Sequence, residues 1–175
     1  MINSYKTFET KRLFIRPMGE EDAEFFLELV NSPKWIKFIG DRKVQTIKDA
    51  EDYIKARMLP QLKRLGFGNN VVIRKEDGVK VGSCGLYDRE GLEGIDIGYA
   101  MLPRFEKLGF AFESVSNLMR FANEEFSISK LSAITLVEND SSKNLLVKLG
   151  FTFDKMVNLP SDDADLMMYS VELEK

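Results

Sequence analysis

One stretch of the chain concentrates the residues that could do chemistry: Gly-Ile-Asp-Ile-Gly-Tyr-Ala-Met-Leu-Pro-Arg-Phe-Glu-Lys-Leu-Gly-Phe-Ala-Phe-Glu, residues 94 to 113. It begins as a strand, with Ile95, Ile97 and Tyr99 alternating with Asp96 and Gly98. Pro103 lacks a backbone donor, so regular pairing is expected to stop near it. From Gly109 the spacing becomes helical: Phe110, Ser114, Asn117 and Phe121 recur on one face, with Leu118 and Ala122 beside them. A strand that passes through a tight loop into a helix leaves amide N–H groups unpaired at the helix start. Those groups and the helix dipole favour a phosphate. Gly109 would let an anion approach the backbone closely. The stretch reads as a pyrophosphate cradle, against the plainer alternative of a helix-start glycine.

The chemistry available elsewhere is bounded by what is missing. There is no histidine among the 175 residues. That excludes a Ser-His-Asp triad, a Cys-His pair and a histidine-ligated zinc site. A general base must then be a carboxylate, a tyrosine, a lysine or a relayed water, and no metal is expected. Cys84 is the single cysteine, which rules out an internal disulfide and fits a reducing cytoplasm. With no histidine to activate it, Cys84 reads as a buried, inert thiol rather than an acyl-carrying nucleophile. The net charge of −3, without a basic patch, argues against a nucleic-acid binder. No apolar run approaches the ~20 residues that cross a bilayer, and Met-Ile-Asn-Ser-Tyr-Lys lacks the apolar core of a signal peptide. The expectation is a cytoplasmic protein that contacts neither nucleic acid nor membrane.

The elements that must position these groups follow from local pattern. Arg12–Arg16 reads as a first strand closed by Pro17. An acidic helix start at Gly19–Asp22 leads to an apolar stripe of Phe25, Phe26, Leu29 and Val30, and Ser32-Pro33 is expected to break that helix. Residues 34–44 read as a loop or short helix. Thr46 and Asp49 form a capping box for a second helix running toward Leu65-Gly66, with a kink or early end at Pro60. Asn69–Arg74 and Val79–Tyr87 read as a hairpin around Asp77-Gly78. The glycines at 82 and 85 point to a bulge or a close backbone contact. After the central strand and its helix, Leu131–Val137 is a strand. Asn139–Leu149 is a helix ending at Gly150, where a left-handed cap is common. Phe151–Val157 and Leu166–Val171 close the chain as strands. Leu-Gly-Phe occurs at 65, 108 and 149, but its copies fall at different structural places, so it is no repeat. No linker divides the chain, which reads as one domain over residues 1–175.

This order of elements and several local motifs resemble the GNAT superfamily of acyl-CoA-dependent N-acetyltransferases, and within it the RimJ/RimL type. The carriers are Phe8–Pro17, Ile95–Pro103, Glu106-Lys-Leu-Gly-Phe-Ala111 at the place of Q/R-x-x-G-x-G/A, and Asn139-Asp-Ser-Ser142 followed by Leu149-Gly-Phe151. The resemblance implies a mixed α+β fold: a mostly antiparallel sheet of about seven strands, flanked by about four helices and splayed to admit a cofactor. It implies acetyl-CoA as cosubstrate, an amine as acceptor, and, because relatives often dimerise, a homodimer.

The site residues are implied by the same resemblance. Ala100, Met101 and Leu102 would offer backbone groups to the pantetheine arm. Lys107, Leu108, Gly109, Phe110 and Ala111 would hold the pyrophosphate. Asn139 would bridge the arm or serve as a helix N-cap. Ser142 would protonate the leaving sulfur or satisfy local backbone, since Leu146 stands where many relatives carry a tyrosine. Asp96 sits where many relatives carry a glutamate base, and Asp would act through a relayed water or merely face solvent. Trp35, Phe38 and Tyr53 would line the acceptor side or belong to the core. Glu106 places a negative charge beside the expected phosphates, with Lys107 to offset it. The two functions to weigh are acetyl transfer to a primary amine by direct attack in a ternary complex, and a non-catalytic acyl-CoA-binding or sensing module.

Overall fold

A computed structural model describes residues 5–174. Eight strands form one sheet: β1 (Phe8–Glu9), β2 (Leu13–Pro17), β3 (Asn69–Arg74), β4 (Lys80–Tyr87), β5 (Ile95–Met101), β6 (Lys130–Leu136), β7 (Thr152–Leu159) and β8 (Asp162–Glu172). Their order across the sheet is β1-β2-β3-β4-β5-β6-β8-β7. The strand beyond the seven expected is the two-residue β1, which pairs with Phe14 and Ile15. Every neighbouring pair is antiparallel except β5 and β6. β5 pairs with β4 along its length, from Tyr87↔Asp96 to Gly82↔Met101. Against β6 it pairs only at Ile95↔Leu131 and Asp96↔Ser132. Beyond Asp96 the sheet opens into a V.

The helices are α1 (Ala23–Val30), α2 (Pro33–Phe38), α3 (Ile47–Tyr53), α4 (Leu59–Leu65), α5 (Phe110–Phe126) and α6 (Asp140–Lys148). The count exceeds four for two local reasons. Pro33 does not simply end a helix; it opens α2 in the first turn, where its missing N–H costs nothing. The helix beginning at Thr46 passes through a π turn, Ile54–Met58, before Pro60 falls in the first turn of α4. The capping box forms as its sequence predicts: Asp49 N–H donates to Thr46 Oγ1 at 3.0 Å, and Thr46 N–H donates to Asp49 Oδ2 at 2.9 Å. Gly150 takes φ +93°, the left-handed conformation expected after α6.

Leu13, Ile15, Val71, Val72, Leu86 and Leu131 are buried in the sheet, with Phe26 and Leu29 of α1 and Val115 and Leu118 of α5 packed against it. Asp22 is buried completely yet well satisfied. Both its oxygens accept from Arg16 at 2.8 Å, Gly19 N–H donates at 2.9 Å, and Lys80 lies 2.7 Å away. Burial alone would raise its pKa, but these partners outweigh burial and hold it below the ordinary carboxylate value.

Tyr87 explains two glycines. A Cβ on Gly85 would lie 2.6 Å from the Tyr87 hydroxyl, and one on Gly98 would lie 3.0 Å from its ring. The ring therefore crosses bare backbone, and its hydroxyl donates to Asn69 Oδ1 at 2.6 Å. The Asn69 amide in turn reaches the sulfurs of Met18 and Met58. This face of the sheet, which also carries Asp96 opposite Tyr87, is the one beneath the π turn. The other face carries Cys84, beside Ser114 of α5, and Tyr99 opposite Cys84.

Candidate active site

The V opens onto a cavity of about 920 Å³ whose walls include Asp96, Tyr99, Met101, Lys107, Gly109, Thr135, Asn139 and Ser142. Its construction starts with the loop after β5. A 3₁₀ turn at Pro103–Phe105 carries the chain to Glu106. Lys107 then takes φ +59° and Gly109 φ +82°, two left-handed residues one apart. Successive N–H groups in such a loop converge into an anion-binding nest. The geometry leaves them available: among the described residues, the amides of residues 107 to 112 have no hydrogen-bond partner, and the first bonded amide is Glu113 N–H to Gly109 O at 3.0 Å. These unpaired amides fall within the strand-loop-helix that the sequence singles out.

Its outer side is pinned by a residue that sequence reading missed. Arg12 donates from Nη1 to Leu108 O at 3.0 Å and from Nε to Glu113 at 2.7 Å, and stacks its guanidinium over Phe110 at 4.5 Å. Glu113 also accepts from Thr10 and from Arg12 N–H. Burial opposes its ionisation, but these donors prevail and lower its pKa. The negative charge of Glu106 is met by an ion pair with Lys34.

Backbone register decides which strand groups face the gap. Leu102 N–H donates to Val81 O at 2.9 Å, and Gly82 stands opposite Met101. In an antiparallel ladder this arrangement turns the backbone of Ala100 toward β4 and that of Met101 and Tyr99 away from it, into the gap. A Cβ on Gly82 would lie 2.4 Å from Ala100 O, so that carbonyl is indeed on the β4 side. This corrects the expectation for two of the three residues. Leu102 is fully buried, its carbonyl accepts from Phe105 N–H, and it has no free backbone group for the arm; Ala100 lines the cleft with its side chain only. Leu108 offers its amide but its side chain points outward, 48% exposed.

On the α5/α6 side, Asn139 caps α6, its Oδ1 accepting from Ser142 N–H at 3.2 Å. Ser142 Oγ accepts from the Tyr99 hydroxyl at 3.3 Å. Burial raises the Tyr99 pKa, and the bond to Ser142 only partly offsets this. Leu146 is buried and packed in the core. The one aromatic hydroxyl near Ser142 among the described residues thus comes from β5, not from α6. The facing wall on β6 presents Thr135 Oγ1, which is buried without a partner.

Asp96 lies on the opposite face, at the vertex. It is 1% exposed, with both oxygens 3.2–3.3 Å from the Arg89 guanidinium. Burial pushes its pKa up and Arg89 pulls it down; burial dominates, so Asp96 titrates above the ordinary carboxylate value. It is not the solvated strand residue that alternation alone allowed. Asp96 and the Tyr99–Ser142 pair therefore sit on opposite faces of the sheet. Cys84 is fully buried and its thiol is pushed up to about 12, which leaves it inert. Trp35 and Tyr53 serve two purposes: their rings pack against Phe26, and they line the cavity with Phe38.

The site thus combines an open sheet, an amide nest at the helix after the splayed strand, and the Asp96 carboxylate and the Tyr99–Ser142 hydroxyls on either side. The chain belongs to the GNAT acetyltransferase family: the family described as "Acetyltransferase (GNAT) domain" matches residues 12–152. In sequence it is similar to the uncharacterized N-acetyltransferase p20 of Bacillus licheniformis, 28% identical over 150 residues, which covers 83% of this chain and 82% of the relative. The uncharacterized N-acetyltransferase YoaA of Bacillus subtilis (strain 168) is 23% identical over 150 residues, 84% of this chain and 83% of the relative. In fold it is similar to RimL, a ribosomal L7/L12 alpha-N-protein acetyltransferase solved in complex with coenzyme A, with a TM-score of 0.81 at 17% identity over 96% of this chain and 98% of that one.

Proposed function

We propose that the protein transfers an acetyl group from acetyl-CoA to a primary amine by direct attack within a ternary complex. The observation that carries this reading is the row of unpaired amides at 107–112, set at the end of the V where β5 leaves β6. When bound there, acetyl-CoA would supply the activated acetyl group. Lys107 and the amides would hold its pyrophosphate, the backbone of Tyr99 and Met101 would pair with the pantetheine arm, and Thr135 Oγ1 would gain a partner.

Amide formation requires a neutral amine, and an α-amine has a pKa near ~8, so much of it is protonated at neutral pH. Asp96 removes that proton, directly or through a water, and its burial makes it a better base than a solvated aspartate. A thiol pKa near ~8.5 makes the sulfur a tolerable leaving group, so the acid needs little driving force. Ser142 donates its proton to the sulfur as the C–S bond breaks, is held in place by the hydrogen bond from the Tyr99 hydroxyl, and regains a proton from solvent. The Glu106–Lys34 pair and the Tyr99 hydroxyl each offset a departure that favoured a non-catalytic module, and transfer is the better-supported reading. We further infer one domain over residues 1–175 and a cytoplasmic setting.

Steady-state thiol release from acetyl-CoA, measured against N-terminal peptides, polyamines and aminoglycosides, tests the proposal. At least one acceptor should accelerate release well above hydrolysis. CoA binding without acceleration by any amine in the panel would favour the binding-module reading.

A further inference from the structure

Resting on that reading, the acceptor wall of the cavity points to the chemistry of the amine. This part of the wall is built by α2, the loop after it, the end of α3 and the π turn, and it carries Lys34, Trp35, Phe38, Arg42, Tyr53 and Arg57. Lys34 and, deeper in, Arg89 are neutralised by Glu106 and Asp96. Arg42 and Arg57 pair with no carboxylate and donate no hydrogen bond among the described residues, and both are exposed where they line the cavity. The rim therefore offers two guanidinium groups with no acceptor for them. The carboxylate of the cavity without a cationic partner among the described residues is Asp162, the first residue of β8. Lys107 and Lys148 are also without carboxylate partners, except that Lys148 stacks on Phe112 beside the cradle, so both belong to the phosphate side.

We infer that the acceptor is an amine whose own molecule also carries an anionic group. The ammonium approaches Asp96, and the anion is received by Arg42 and Arg57. An N-terminal peptide with an early acidic residue and a free acidic amino acid share this chemistry. A polyamine lacks it and would set its extra ammonium groups against the two arginines.

The test is calorimetric titration of the CoA-saturated protein with Ser-Glu-Ala amide, Ser-Gln-Ala amide, free glutamate and spermidine, repeated on Arg42→Gln/Arg57→Gln. CoA is titrated alone in the same samples. The glutamyl peptide should bind about tenfold tighter than its glutaminyl twin, the scale of a charge-assisted hydrogen bond. The double variant should erase that preference and leave the CoA affinity unchanged. Tighter binding of free glutamate than of the peptide would assign the anion to a free amino acid. Equal binding of the two peptides, preference for spermidine, or a preference that survives the double substitution overturns the inference while the acetyltransferase reading stands. Failure of CoA itself to bind overturns both.

Discussion

Tyr99→Phe removes one hydroxyl and keeps the ring, so it isolates the bond from Tyr99 to Ser142. That bond spans 3.3 Å, toward the long end for two hydroxyls. A neutral hydrogen bond contributes about 0.5–1.5 kcal/mol, so kcat should fall by about 2- to 12-fold. Ser142→Ala removes the donor to sulfur and should cost about a hundredfold, the low end for a general acid, because a thiolate leaves readily. If Tyr99 acts through Ser142, the double variant should be no slower than Ser142→Ala alone. The assay is thiol release at saturating acetyl-CoA with the best acceptor, alongside calorimetric affinity for CoA, which should change less than about twofold in all three variants. Burial keeps Tyr99 protonated through neutral pH, so the alkaline limb of the rate profile should be the same in Tyr99→Phe. Losses that multiply in the double variant, or a Tyr99→Phe defect confined to CoA affinity, would refute the coupling.

Three further outcomes follow from the same geometry. Asp96→Asn should lower kcat/KM for the amine by about a hundredfold or more with CoA affinity retained; in the native enzyme activity should rise with pH through an Asp96 pKa above the ordinary carboxylate value, so a pH-rate profile with no acid limb above pH ~4 contradicts the base role. Gly109→Val puts a branched side chain at φ +82° with its Cβ about 3.2 Å from Arg12 Nη2; left-handed strain of about 1–2 kcal/mol predicts CoA binding weakened by about 5- to 30-fold, read by calorimetry, while the melting temperature shows whether the fold persists. Asp22→Ala leaves Arg16 and Lys80 without their buried partner and should cost about 3–5 kcal/mol in denaturant unfolding. Because the folded pKa of Asp22 is depressed, its contribution is present above the unfolded value near ~3.9 and is lost as pH falls through the folded value, so the native protein should lose stability below pH ~4 and the variant should lose less.

What could be read from the sequence was local. The strand-loop-helix at 94–113, the Thr46–Asp49 box, the Asn139 cap and the turn at Gly150 each depend on residues within a few positions of one another, and each forms. The cradle was legible for the same reason, because helix starts and left-handed residues are properties of neighbouring backbone. The rest depends on register and on packing between distant segments. Tyr99 looked like one more residue on an alternating strand, and only the splay of β5 from β6 brings it to Ser142. The partner of Glu106 is Lys34, and the clasp on the cradle is Arg12, contacts that no periodicity announces. Ala100 and Leu102 were assigned to the gap without knowing that Leu102 N–H bonds to Val81 O, a fact of register that turns alternate residues to opposite edges. Ser32-Pro33 ends α1 as its sequence predicts, and the same fixed φ lets Pro33 open the short helix α2.

The central claim is that bare amides at the start of α5 receive the charged middle of coenzyme A. Amide resonances of the isotope-labelled protein, followed during titration with CoA, test it most directly. The largest shifts should fall on residues 107 to 112, with the Glu113 amide, already bonded to Gly109 O, moving less. Saturating CoA that leaves those six amides unmoved would contradict the account.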